Sequence, residues 1–295
     1  MDSDGALKLV FMGTNGWYTT PLANTVCALI ETPSRYIVLD AGDGIHRLDQ
    51  YATDPDKPVD LFLSHFHLDH TIGLHIQPKF HFKNVMRIFG MPGTKKTLAT
   101  LVDHPFTAPY SLLEPRGLKV EIHELKEGEN KIDEYAVRAA PLVHADPCWG
   151  YRFEIPREKN APSGGERTGP APPTNANPQA IASPPSHVRG NDLAILSYCT
   201  DTGPCDNLVS LSRNADALIT ECGLLSGMPI APSWPHLNPE TAAALAHAAQ
   251  CRKMFLTHFA AHLYDTMGKR KEAEAKAREI FPSSFATYDR MEVKI

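Results

Sequence analysis

Three imidazoles and one carboxylate fall within the six residues from His65 to His70, in Ser64-His-Phe-His-Leu-Asp-His70, directly after the apolar run Val59 to Leu63. Histidine nitrogen and carboxylate oxygen are ligands for zinc and neighbouring first-row metals. Alternate side chains of an extended segment point the same way, so His65 and His67 can share one ion. A turn after His67 presents Asp69 and His70 to a second ion, which is more than one tetrahedral zinc takes. A lone histidine is ordinarily a polar core or surface residue. Four ligand-type residues this close, with suitable donors downstream, point instead to a pair of metal ions.

The remaining donors stand at the ends of apolar extended stretches. Pro141-Leu-Val-His144 offers His144 as a third ligand for the first metal, and Leu193 to Tyr198 runs into Thr200-Asp-Thr-Gly203, where Asp201 is placed to bridge two ions. Ala217 to Thr220 ends at Glu221, and Lys253 to Thr257 ends at His258. The strand Arg35 to Leu39 runs into Asp40-Ala-Gly-Asp-Gly44, so Asp40 is either a partner supporting a ligand histidine or a turn-forming aspartate. A ligand after each strand is what a sheet edge provides.

Other expected strands are Leu7 to Met12, Thr25 to Ile30, Val85 to Phe89, Leu118 to His123, Tyr135 to Ala140 and Gly150 to Glu154. Expected helices are His70 to Gln77, Thr94 to Val102, and an alanine-rich one from Ala242 to Gln250 with Asn238 as N-cap and Pro239 at the first helical position. His236 lies just before that helix. A charged helix, Lys269 to Ile280, reads as a solvated face. Residues 156–190 are polar and crowded with proline and glycine, giving a surface loop that is either a linker or a flap over the site.

At 295 residues, the expectation is one domain spanning 1–295 with this insert. A net charge of −5 lacks the basic footprint of a general nucleic-acid binder. No apolar run approaches the roughly 18 to 20 residues that span a bilayer, and the N-terminus lacks a secretory signal, so no membrane partner and a cytoplasmic location are expected. Six cysteines without a Cys-x-x-Cys pair indicate reduced thiols, with Cys148 and Cys222 serving packing.

Taken together, His65, His67, Asp69, His70, His144, Asp201 and His258 resemble the ligand set of the metallo-β-lactamase superfamily. That resemblance implies an α/β (α+β) fold, the αββα sandwich of two mixed β-sheets with outer helices. It also implies His65, His67 and His144 on one metal, Asp69, His70 and His258 on the other, and Asp201 between them. Zinc is the first expectation for the two divalent ions, with manganese or iron as alternatives. Gly150-Tyr-Arg-Phe-Glu154, Tyr198-Cys-Thr-Asp-Thr-Gly-Pro-Cys205 and Leu256-Thr-His-Phe259 are similar to ribonuclease Z and its phosphodiesterase relatives, which also carry a histidine where this chain has His236. Tyr288-Asp-Arg-Met-Glu-Val is similar to the ending of the phosphoribosyl cyclic phosphodiesterases.

The chain departs from ribonuclease Z in having Thr220-Glu-Cys-Gly223 for a His-Glu-Ala-Thr segment, His262 for an arginine, and a proline-rich insert for a basic, glycine-rich arm. The implied activity is hydrolysis of a phosphodiester, a cyclic nucleotide or related small molecule, by a hydroxide held between the metals. In that scheme Asp69 orients the nucleophile, His236 binds the phosphoryl group or donates a proton, and Asp40 and Glu221 support the ligands. The alternatives are a tRNA 3′ endonuclease, a lactone, thioester or β-lactam hydrolase, and a non-catalytic metal-binding module. A homodimer is implied by the ribonuclease Z resemblance alone.

Overall fold

β-branched and aromatic runs pair into two mixed sheets. The computed structural model describes residues 7–157 and 192–295. One sheet runs, edge to edge, Met291–Lys294, Lys8–Gly13, Cys27–Glu31, Tyr36–Leu39, Val59–Phe62, Met86–Gly90 and Val120–Glu124. The other runs Ser284–Ala286, Met254–Ala260, Ala217–Cys222, Leu193–Cys199, Trp149–Pro156, Tyr135–Pro141 and Gly128–Ile132, with the short Asn15–Gly16 paired to Met254–Ala260. In each sheet an antiparallel half adjoins a parallel half.

Leu9, Phe11, Ile30 and Phe62 of the first sheet meet Val137, Phe153, Leu196 and Phe255 of the second in one buried cluster. Helices cover the outer faces: Pro239–Ala248 and Met267–Arg278 pack on the second sheet through Ala242, Ala246, Ala273 and Ala277, and Thr94–Leu101 packs on the first through Leu98. This is the expected αββα sandwich. Asn238 caps its helix as expected, its side chain accepting from Thr241 N at 2.9 Å.

Two expectations need correction, and one strand was not expected. His70 to Gln77 is not one α-helix, since an α-turn over Leu68–Thr71 passes into a 3₁₀ segment, Ile72–Lys79, that contains Pro78. Gly128–Ile132 has few apolar residues and gives no strand signal, yet it forms a charged edge strand against Tyr135–Pro141. Nor is the Met267–Arg278 helix merely a solvated face: Arg270 is fully buried, donating to Thr14 Oγ1 at 2.8 Å and Asn15 Oδ1 at 2.5 Å and lying over the Phe259 ring.

The thiols of Cys148 and Cys222 are buried, and burial pushes both well up from their ordinary range, consistent with packing. Of the expected insert, residues 158–190 lie outside the described residues. Its flanks Pro156 and Leu193 are paired in register, at the opposite end of that hairpin from Cys199 and the Asp201 turn. Among the described residues no helix is long and apolar enough to cross a membrane.

Candidate metal centre

Parallel strands place their carboxyl ends on one edge, and loops leaving that edge build the site. Tyr36–Leu39 delivers Asp40, Val59–Phe62 delivers His65 to His70, and Leu193–Cys199 delivers Asp201. Two donors sit inside strands rather than after them, because Ala217–Cys222 continues through Glu221 and Met254–Ala260 through His258. A register shift between Glu221 and Cys222, opposite the segment around His258, turns both side chains to the edge. Asp40, Asp201 and His258 have φ of 56°, 48° and 48°, a strained left-handed backbone that re-aims a side chain where a strand would carry it past.

Two glycines permit close approach. A Cβ on Gly16 would lie 2.5 Å from His258 Cε1, and one on Gly42 would lie 2.3 Å from the Asp69 carbonyl oxygen.

Potential ligand atoms lie within 4.8 Å of one another in four groups: His65, His67 and His144; His65, His70 and Asp201; Asp69, His70 and His258; and His144, Asp201 and His236. Asp201 Oδ2 stands 2.6 Å from His70 Nε2, 3.2 Å from His258 Nε2 and 3.7 Å from His65 Nε2. Asp69 Oδ2 is 3.2 Å from His258 Nε2 and accepts from Trp17 N at 2.7 Å.

All seven expected ligands therefore converge. The supporting groups converge with them. Asp40 is fully buried; its carboxylate lies 2.7 Å from His70 Nδ1 and accepts from Ser64 N, Ser64 Oγ and Tyr198 Oη at 2.7, 2.8 and 2.6 Å. Its side chain thus lies inside the core against His70 rather than out on the turn. Glu221 accepts from three backbone N–H groups, those of Thr202, Gly223 and Leu237, and faces His236 Nδ1 with both oxygens.

Burial sets much of the electrostatics. It pushes His65 well below, and His144 below, the ordinary histidine range, leaving neutral rings with free lone pairs. For Asp201, burial raises the pKa, but the charges of His258 and His70 outweigh it and hold the carboxyl well down. Burial lowers His236, yet Glu221, with help from Asp201 and Asp69, raises it to about 9.

His65 Nε2 and His258 Nδ1 are buried without a hydrogen-bond partner, and His70 Nε2 and His258 Nε2 face each other at 3.1 Å. The orphaned His65 nitrogen and the facing Nε2 pair, beside buried carboxylates, fit divalent cations, which would take up those lone pairs.

Sequence reasoning did not single out three participants. Asp146 Oδ2 is 2.8 Å from His67 Nε2, and its place two residues after His144 was a usable signal. Trp17 and Trp234 stack at the rim with ring centroids 5.5 Å apart. Neither carried a signal, since only the folded loops bring them together. His262 lines the same rim.

Residues 20–151 match the family model described as the metallo-beta-lactamase superfamily. The chain is a metal-dependent hydrolase with a metallo-β-lactamase domain. Across 98% of each chain it is 29% identical to ribonuclease Z of Methanosarcina acetivorans. This hydrolase also shares its fold with a diphosphatase from the PhnP family, at a TM-score of 0.66 and 13% identity over 98% of this chain and 97% of that one. The short form of human tRNase Z superposes at a TM-score of 0.60 and 17% identity, covering 97% and 98%. At those identities the two structures speak for fold alone.

Proposed function

We propose that this hydrolase is a binuclear phosphodiesterase whose substrate is a cyclic nucleotide or related small phosphodiester. In this reading His65, His67 and His144 hold one ion, Asp69, His70 and His258 the other, and Asp201 contributes to both, with zinc the first metal to test. When bound, the ions would supply Lewis acidity and positive charge, which acidify the attacking water and neutralise the phosphodiester. Asp69 orients the water as a hydrogen-bond acceptor. His236, held at Nδ1 by Glu221, presents its other nitrogen to the leaving oxygen and donates a proton to the departing alkoxide.

One observation carries the reading: a histidine, His236, fixed by the buried carboxylate of Glu221, stands beside the Asp201 cluster, with its Nδ1 3.7 Å from Asp201 Oδ1. A phosphodiester needs such a donor when its alkoxide leaves. A lactone or thioester opening at a carbonyl depends on it less. The test is turnover of bis(p-nitrophenyl) phosphate by zinc-loaded wild type and Asp201→Ala, with metal content measured on the same samples. Hydrolysis lost in the variant supports the reading; a fully metallated but inert wild type sinks it.

A second reading, cleavage at tRNA 3′ ends, is favoured by the full-length similarity to ribonuclease Z. It requires tRNA binding that weakens steeply with salt, because each released counterion adds to the slope. A homodimer belongs to this proposal on the same similarity, and light scattering tests it.

A further inference from the structure

The chemistry above leaves an aromatic wall unused. A cavity of about 180 Å³ opens beside His236 and His258, walled by Trp17, Trp234, Leu224, Met228, Leu263 and His262. The chain has three tryptophans, and two of them meet here. Trp17 is 54% and Trp234 42% exposed, although indoles are usually well covered. The Trp234 ring also lies 5.3 Å from that of His236, so the wall continues into the candidate centre. Trp17 has φ of 72°, a strained backbone for a bulky residue, and the N–H to Asp69 Oδ2 bond holds it there. Two large apolar rings left in water next to a charged cluster mark a binding site whose ligand is planar at one end and anionic at the other.

We propose that the Trp17–Trp234 wall holds the base of the substrate, so that the phosphodiester hydrolysed is a nucleotidyl ester. This inference rests on the phosphodiesterase reading and narrows it. Any nucleobase presents a π-face that stacks on indole. The two indoles, 5.5 Å apart and tilted by 28°, already touch, and a base sandwiched between them would need about 7 Å. The base therefore lies on the indole face turned toward the cavity. Leu224, Met228 and Leu263 close the apolar side, and His262 offers a polar group to the base edge. The cavity is smaller than the roughly 300–1,000 Å³ that takes a whole drug-sized ligand, so it suits one ring system with its sugar and phosphate directed at the histidine cluster.

The test compares two esters with the same leaving group, thymidine 5′-(p-nitrophenyl phosphate) and methyl p-nitrophenyl phosphate, on the zinc-loaded protein. Wild type favours the nucleotidyl ester. In Trp234→Leu the ratio of kcat/KM between the esters falls about 10-fold or more, mainly through KM, and Trp234→Phe keeps most of the preference. A ratio unchanged in Trp234→Leu overturns the inference, as does an equal loss on both esters.

A variant-free arm needs neither turnover nor a folded mutant. Tryptophan fluorescence of the wild type is titrated with thymidine 5′-monophosphate and with ribose 5-phosphate. The base should tighten binding about 10-fold, and equal affinities overturn the inference. Failure to hydrolyse either ester, with tight base-dependent binding intact, sinks the phosphodiesterase reading and leaves the base site standing.

Discussion

His236 Nδ1 lies 2.9 and 3.0 Å from the two carboxylate oxygens of Glu221, a residue that is itself fixed by three backbone N–H groups. Glu221 is fully buried, so its charge acts on the ring with little screening.

That pair predicts the behaviour of Glu221→Gln. Removing the negative charge removes what raises His236, so the ring's pKa falls from about 9. A reaction that needs protonated His236 then loses rate at lower pH, and the basic limb of the kcat/KM profile moves down. The maximum falls about 10- to 100-fold, because the general acid is both mis-held and less protonated. Metal content stays at the wild-type level in both Glu221→Gln and His236→Ala. Loss of metal from His236→Ala would make that histidine a ligand instead.

Asp40 is expected to act through metal affinity rather than through proton transfer. Its carboxylate meets His70 Nδ1 at 2.7 Å and gathers Ser64 and Tyr198 around it, which fixes the ring so that Nε2 points at Asp201. Asp40→Ala frees that ring and leaves buried donors unpaired. Zinc affinity should drop about 10- to 100-fold in competition with a chelator, the usual effect of losing a carboxylate behind a ligand histidine. An unchanged affinity would return Asp40 to the role of a turn residue.

Gly16→Ala tests the seat of His258. The added methyl would meet the imidazole at 2.5 Å, and the Asn15–Gly16 segment cannot easily retreat because it pairs with Met254–Ala260 and Asn15 accepts from buried Arg270. His258 must therefore move. The expected result is a lower metal-to-protein ratio by elemental analysis with the fold intact by circular dichroism; full metal content would mean the ring shifts without leaving the centre.

These cases show what was legible beforehand. The His65 to His70 cluster, His144, Asp201 and His258 announced themselves because ligand chemistry restricts residue types and strands deliver them to one edge. Asp40 was ambiguous, since a turn aspartate and a buried acceptor look alike until Ser64 and Tyr198 are seen around it. Trp17 and Trp234 were silent, because stacking between loops 217 positions apart leaves no local pattern. Arg270 was misread for a related reason: charge alternation describes a helix surface and cannot tell which arginine is driven inward.

Asp60 was hidden in the same way, within a run that reads as apolar, and it carries the last prediction. It is fully buried, accepting from Arg35 at 2.6 Å, from Arg87 at 2.7 and 2.8 Å, and from Tyr135 Oη at 2.7 Å. Asp133 and Glu134, from the turn of the other sheet, grip the same arginines, so the cluster ties the two sheets together. Asp60→Ala leaves Arg35 with its buried partner gone, at a cost of about 3–5 kcal/mol. Glu134→Gln should cost only ~0.5–1 kcal/mol, because Glu134 is more than a third exposed and solvent screens it. The sign of the pH effect follows from direction. The hydrogen bond from Arg35 draws Glu134 down from its ordinary 4.5 to about 2, so its contribution is complete above pH 4.5 and lost as the pH falls toward 2. Thermal unfolding of metal-free protein between those limits should show wild type losing its small advantage over Glu134→Gln, whereas Asp60→Ala remains far less stable throughout. An advantage for wild type that persists undiminished at pH 2 would mean that Glu134 contributes through packing rather than charge.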